Sequence, residues 1–231
     1  MELKNKVVVI TGGSKGLGKA LAISFIKEGS TVVVSSHNKE VLENTAKEIN
    51  ATAMIADVVK ENEVKNLAEK TIEKFGKIDI WVNNAGILYR FPKGELIDMQ
   101  KAHEIFDVNF FGTVFGCRTA LKYMNKNDNP VILNIISKNA IDATKDIKNK
   151  LYLASKWAVR GFTQVFKSEN LDSGIKIISI YPGGIKTDLW KGLVVENINQ
   201  YMEPNYVADL VIENLKKENP EEELIIKRPV K

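Results

Sequence analysis

Two residues whose types and spacing can do chemistry lie at Tyr152 and Lys156. Four positions apart on a helix, a phenol and an ammonium share one face, one turn from each other. Such a pair suits proton transfer to or from an oxygen while hydride arrives at, or leaves, the adjacent carbon. An isolated phenol titrates near ~10 and is a poor acid–base group at neutral pH. A neighbouring cation favours the phenolate and brings that value toward the working range. The spacing alone is weak evidence, because Tyr89 and Lys93 repeat it. Pro92 and Gly94 make that second stretch a loop, whereas Tyr152 sits within a strong helical pattern from Leu151 through Leu171.

A second constellation is Thr11-Gly12-Gly13-Ser14-Lys15-Gly16-Leu17-Gly18, which follows an apolar run and precedes a helical one. Glycines at 12, 16 and 18 permit a tight turn and a close backbone approach to a diphosphate. The helix that follows offers unpaired N–H groups to the anion. This pattern reads as a dinucleotide loop. A site for NAD usually carries an acid at the end of the second strand. Here that strand ends Ser36-His37-Asn38, with no carboxylate before Glu40, and Lys15 sits inside the loop. The expectation is NADP(H) rather than NAD(H), with Lys15, Ser36, His37 and Asn38 around the 2′-phosphate.

Positioning these groups takes a scaffold, and the chain alternates two periodicities. Apolar, β-branched runs fall at 6–11, 31–36, 51–57, 78–83, 131–137, 175–181 and 224–227. Helical patterns separate them near 16–28, 39–49, 60–75, 99–126, 151–172 and 204–218. Strands apolar nearly throughout are buried on both faces. Strand–helix alternation then gives an α/β fold, a single domain over 1–231 with a doubly wound, Rossmann-like parallel sheet of about seven strands. The segments 104–121 and 151–168 carry more apolar residues than one buried stripe requires. Either they are deep core helices or they pair subunits.

Composition narrows the function classes. The 231 residues are 44% hydrophobic and 27% charged with a net charge of +4, without a basic cluster. Nucleic acid and anionic membranes are therefore not expected partners. Cys117 stands alone and the only histidines are His37 and His103, which leaves no basis for a disulfide or a His-based metal site. Met1 to Lys6 is short and charged rather than a signal peptide, and no apolar run reaches the ~18 residues of a membrane span. A cytoplasmic location is expected.

Together the motifs resemble the short-chain dehydrogenase/reductase family along almost the whole chain. Residues 11–18 match TGxxxGxG, and Asp57, followed by Val58, matches the acid that contacts adenine. Asn83-Asn84-Ala85-Gly86 matches NNAG, and Asn109 the helix asparagine of the catalytic tetrad. Ser137 closes the fifth strand run, and Tyr152/Lys156 match YxxxK. Pro182-Gly183-Gly184-Ile185-Lys186-Thr187 matches the PGxxxT segment at the nicotinamide end. The resemblance implies that Tyr152 exchanges the proton, while Lys156 binds the nicotinamide ribose and lowers the Tyr152 pKa. It further implies that Ser137 bonds the reacting oxygen and Asn109 holds a water leading to Lys156.

The stretch from Ser137 to Tyr152 is about two residues longer than the family pattern and carries Lys138, Lys145, Asp146, Lys148 and Lys150, so a polar loop is expected at the mouth. Asn139 is the nearest polar substitute for Ser137. Ile87, Leu88, Ile141, Gly184, Leu189, Trp190, Leu193 and Val194 are expected to line the substrate pocket, which favours a small apolar carbonyl or alcohol. None of these is an arginine or an acid, so nothing here points to a charged substrate. A 3-oxoacyl-carrier-protein reductase, receiving an acidic carrier on Lys138, Lys145, Lys148 and Lys150, is the alternative within the class. A non-catalytic nucleotide-binding module is the alternative outside it. A homodimer or homotetramer is expected in either case.

Overall fold

In the computed structural model, which describes residues 1–91, 96–141, 149–193, 195 and 198–228, seven strands form one parallel sheet. The strands are β1 (Val7–Thr11), β2 (Thr31–Ser36), β3 (Thr52–Ile55), β4 (Ile80–Asn83), β5 (Val131–Ile135), β6 (Lys176–Pro182) and β7 (Glu223–Ile226), in spatial order β3-β2-β1-β4-β5-β6-β7. The order reverses between β1 and β4, so the chain winds first to one side and then to the other. The carboxyl ends of β1 and β4 part there and open a crevice.

The helices are α1 (Gly16–Lys27), α2 (Lys39–Ile49), α3 (Glu61–Phe75), α4 (Met99–Phe106), α5 (Gly112–Tyr123), α6 (Lys150–Glu169) and α7 (Pro204–Lys216). Alternate strand residues point to opposite faces. On one face Val8, Ile10, Val34 and Val82 pack under α1, α2 and α7; on the other Val9, Val33, Trp81 and Ile132 pack under α3, α5 and α6. The central strands are buried on both faces as their composition requires. The edge strand β7 alternates exposed and buried, and β3 is only half-buried. The run at 51–57 therefore yields a four-residue strand, shorter than its pattern suggests.

The helical pattern near 99–126 is not one regular helix. Between α4 and α5, residues Asp107–Phe111 form a π-helical turn. Such turns insert one residue into an α-helix and turn a side chain out of its regular line. Here that side chain is Asn109, which is fully buried. Nor are the two apolar-rich segments sealed in a core: Phe111, Trp157 and Val165 are 45%, 44% and 59% exposed.

Candidate active site

The first two wall elements of the cleft are held by their own chain ends. Thr11 Oγ1 donates to Val82 O at 3.2 Å and accepts from Asn84 N at 3.1 Å. Asn84 Nδ2 donates to Thr11 O and Gly12 O, both at 3.0 Å. These bonds zip β1 to β4 where the sheet order reverses. Gly12 has φ +64°, and a Cβ there would stand 2.8 Å from Ala85 Cα. At Gly18 a Cβ would meet Gly12 O at 2.3 Å, so only glycine lets α1 pack so close to the end of β1. The helix then begins without a side-chain cap and with no acidic residue in its first turn. By contrast, Asn38 caps α2 and Asp98 caps α4. The N–H groups of the first turn of α1 are therefore left for an anion.

These ends open on a cleft of about 520 Å³ running from Ser36 and His37 to Trp190 and Arg228. Of the residues assigned to a nucleotide, Gly12, Ser14, Lys15, Gly16 and Leu17 line it from the loop, with Ser36 and His37 at the end of β2 and Asp57 and Val58 after β3. Asn84, Ala85 and Gly86 line it after β4, and Pro182 at the end of β6 with Gly183, Ile185 and Thr187 beyond it. The volume and the donor set fit a dinucleotide. Two assigned residues lie outside the lining. Gly18 is buried in the α1–β1 contact, and Asn38 is committed to α2, its Oδ1 accepting from Val41 N at 3.0 Å.

Tyr152, Lys156 and Ser137 face the same cleft. The Lys156 ammonium is 5.9 Å from the Tyr152 ring centroid and donates to Ile135 O at 2.8 Å. Burial pulls the Lys156 ammonium down to about 8. It pushes the Tyr152 phenol up to about 12, against the opposing pull of the Ser137 hydroxyl. The expected lowering of the phenol by Lys156 is thus not what the protein alone achieves. Desolvation wins, because the ammonium loses its proton before the phenol does and carries no charge where the phenol titrates. The resting pair at neutral pH is a neutral phenol beside a cation, which is the form that gives a proton to an oxygen.

Ser137 is nearly buried, and its Oγ also accepts from Asn139 N at 3.3 Å, starting the short turn Lys138–Ala140. That turn is tied to α6 by Trp157 Nε1 on Asn139 O (3.1 Å) and Arg160 Nη1 on Ala140 O (2.8 Å). The extra loop length leaves Ser137 on the cleft, and Asn139 lines it as well. Of the charged loop residues, Lys138 is half-buried and Lys150 exposed, while Lys145, Asp146 and Lys148 lie outside the described residues.

Asn109 does not line the cleft. Its Nδ2 donates to Ile87 O and Ser155 Oγ, both at 3.0 Å, and its Oδ1 accepts from Ile87 N at 2.8 Å. With both amide donors spent inside the protein, the side chain binds the π turn to the loop after β4 and to α6. Ser155, which passes the contact on to Tyr152 O at 2.7 Å, was not singled out by the motif reading. Its only signal is a fully buried hydroxyl between Tyr152 and Lys156.

At the far end Ile87, Leu88, Gly184, Leu189 and Trp190 line the cleft as expected. Ile141 instead packs on the Ile136 and Tyr181 cluster, Leu193 stays off the lining, and Val194 lies outside the described residues. Tyr201 and Arg228 join the wall from positions with no motif to mark them. Tyr89 lines the cleft too, its hydroxyl donating to Glu104 Oε2 at 2.9 Å, while Lys93 of the rival pair lies outside the described residues.

The chain is similar to known proteins along nearly its whole length. The family described as short chain dehydrogenase matches residues 6–197. An uncharacterized oxidoreductase of Staphylococcus saprophyticus is 35% identical over 218 residues, covering 92% of each chain. A diacetyl reductase ((S)-acetoin forming) of Staphylococcus epidermidis is 30% identical over 90% of each. Among solved structures, a 3-ketoacyl-(acyl-carrier-protein) reductase from Brucella melitensis complexed with NADH superposes with a TM-score of 0.87 at 27% identity, over 97% of each chain. An alcohol dehydrogenase from the archaeon Thermococcus sibiricus complexed with 5-hydroxy-NADP gives 0.83 at 25%, over 99% of this chain and 100% of that one. Sequence motifs, a doubly wound parallel sheet and relatives along nearly its full length converge, and the chain belongs to the short-chain dehydrogenase family of oxidoreductases.

Proposed function

We propose that this chain is an NADP(H)-dependent reductase of a small carbonyl compound, with Tyr152 as the proton donor. One observation carries the reading: Tyr152, Ser137 and Lys156 face the same cleft as the uncapped glycine loop. The bound nicotinamide supplies or takes the hydride, and the protein contributes position and electrostatics. Tyr152 holds its proton at neutral pH and gives it to the oxygen that gains charge. The Ser137 hydroxyl donates to the same oxygen. Lys156, braced on Ile135 O, keeps a positive charge beside the phenol as the proton leaves. Asn109 and Ser155 act through α6, fixing the turn that carries Tyr152.

Preference for NADP(H) rests on Lys15, Ser36 and His37 at one end of the cleft, where β2 ends without a carboxylate. The apolar wall of Ile87, Leu88 and Leu189 favours a small, largely apolar substrate, and the similarity to a diacetyl reductase supports that reading. The exposed Phe111, Trp157 and Val165 favour subunit pairing through the π turn before α5 and through α6, which a dimeric or tetrameric mass in solution checks. Among the described residues no helix is long and apolar enough to cross a membrane. The cytoplasm is the compartment this reading assigns.

The deciding experiment is NADPH oxidation across aldehydes, diketones and 3-oxoacyl thioesters. Turnover of small carbonyls supports the reading. Turnover confined to carrier-bound thioesters replaces it with the 3-oxoacyl-carrier-protein reductase, whose fold neighbour is the observation in its favour. Cofactor binding without turnover of any carbonyl leaves a nucleotide-binding module.

A further inference from the structure

Resting on the reductase reading, we infer that the substrate bears a carboxylate at the end remote from its carbonyl, received by Arg228. The sheet order places this residue. Ser137 follows β5, two strands from the β1 loop, and Arg228 follows β7, two strands further in the same direction. Two strand spacings are about 10 Å. Arg228 therefore stands across the reacting group from the nucleotide loop, on the substrate side of the cleft it lines. The pairing of β6 with β7 fixes its position, since Gly183 N donates to Ile226 O at 2.9 Å.

The exposed Arg228 rests against an aromatic platform. Arg228 lies 4.6 Å from the Tyr201 ring centroid, a cation–π distance. Tyr201 in turn meets Trp190 edge-on at 5.4 Å and covers Gly184, where a Cβ would stand 2.8 Å from the ring. Backbone bonds between 184–186 and Met202 close this corner, Met202 N on Gly184 O and Lys186 N on Met202 O, each at 2.9 Å. Among the described residues the guanidinium makes no ion pair and no hydrogen bond, so its donor fork stays available. One fixed fork suits one carboxylate. Asp188 and Lys191 line the same cleft with opposite charges, which leaves Arg228 as the surplus cation that one negative charge matches. The substrate this corner fits has an apolar body against Leu189 and Trp190 and a single negative charge beyond it.

The test compares 5-oxohexanoate with its methyl ester, using wild type and the R228Q and R228K variants with NADPH. The wild type favours the acid, and R228Q lowers the acid-to-ester ratio of kcat/KM by about 10- to 100-fold, as loss of a charged hydrogen bond does. R228K, which keeps the charge but not the fork, falls between. A second readout needs no turnover. 5-Oxohexanoate is titrated against the fluorescence of Trp190, with Trp190→Phe to assign the signal, and binds the wild type at least 10-fold more tightly than R228Q. An acid-to-ester ratio within twofold of wild type in R228Q overturns the inference, as does a loss confined to NADPH affinity. Failure of the reductase reading looks different: the acid binds in an Arg228-dependent way, yet neither acid nor ester oxidises NADPH.

Discussion

The two ends of the cleft are built by different means. At the nucleotide end the wall is main chain: strand ends zipped by Thr11 and Asn84, glycines that let backbone meet backbone, and an uncapped helix terminus. At the other end it is side chain: Trp190 edge-on to Tyr201, and Tyr201 against Arg228, brought together from the segment after β6 and the end of β7. Main-chain walls tolerate few residue types, so they leave motifs in a sequence. Side-chain walls tolerate many and leave almost none. On the proposed reading, the first end binds what a whole family binds and the second decides what one member acts on.

The sharpest way to break this contrast is to damage each end separately and read both functions. Ser137→Ala removes a donor to the reacting oxygen and is expected to lower kcat by about 10²-fold or more, while the dissociation constant for NADPH stays within about threefold. Gly12→Ala does the reverse. A side chain at φ +64° facing the Ala85 backbone strains the loop, so NADPH affinity is expected to fall at least 10-fold by equilibrium titration. Equal damage to both quantities by either variant would merge the two ends into one.

Within the nucleotide end, Lys15→Glu puts an acid where the 2′-phosphate is expected. The ratio of kcat/KM for NADPH over NADH should drop by about 10- to 100-fold, measured with one carbonyl substrate. An unchanged ratio would detach Lys15 from cofactor choice and leave Ser36 and His37 to explain any preference.

A smaller effect marks the cost of the site to the fold. Lys156 carries its proton in the unfolded chain up to about 10.5 but in the fold only up to about 8. Below pH 8 both states are protonated and the fold bears the full cost of a buried ammonium. Between 8 and 10.5 the unfolded chain holds more protons, so this contribution to stability rises with pH. Tyr152 acts oppositely: its folded value near 12 exceeds the unfolded 10, so its contribution, complete below pH 10, is lost from 10 to 12. Lys156→Met is therefore expected to be more stable than wild type at pH 7 by about 2–3 kcal/mol, net of the lost bond to Ile135 O. The gain should shrink toward pH 10 in urea unfolding. A gain independent of pH would mean that the ammonium is not the source.

How far the sequence spoke follows the same division. All seven strands stand where apolar, β-branched runs place them, most plainly the central ones, because a strand buried on both faces has little freedom to be polar. The run at 51–57 overshoots β3, since an edge strand ends when its single neighbour stops pairing rather than when its composition changes. The glycine loop and the residues after β4 and β6 reach the cleft as their motifs imply. The π turn at Asp107–Phe111 was invisible, because an inserted residue leaves an α-helical hydrophobic pattern nearly intact. That hidden turn buries Asn109 in contact with Ser155 instead of on the cleft. Arg228 is out of reach for another reason: it meets Tyr201 27 positions away, and no periodicity links the segment after β6 to the end of an edge strand.

The account turns on a neutral phenol giving up its proton while a separate wall holds the nucleotide. Stopped-flow measurement of a single turnover by Tyr152→Phe, with NADPH affinity determined on the same preparation, tests both halves at once. The account predicts NADPH bound within about threefold of wild type and hydride transfer slowed by about 10²- to 10⁴-fold, the contribution of a positioned general acid. Hydride transfer at the wild-type rate would contradict it.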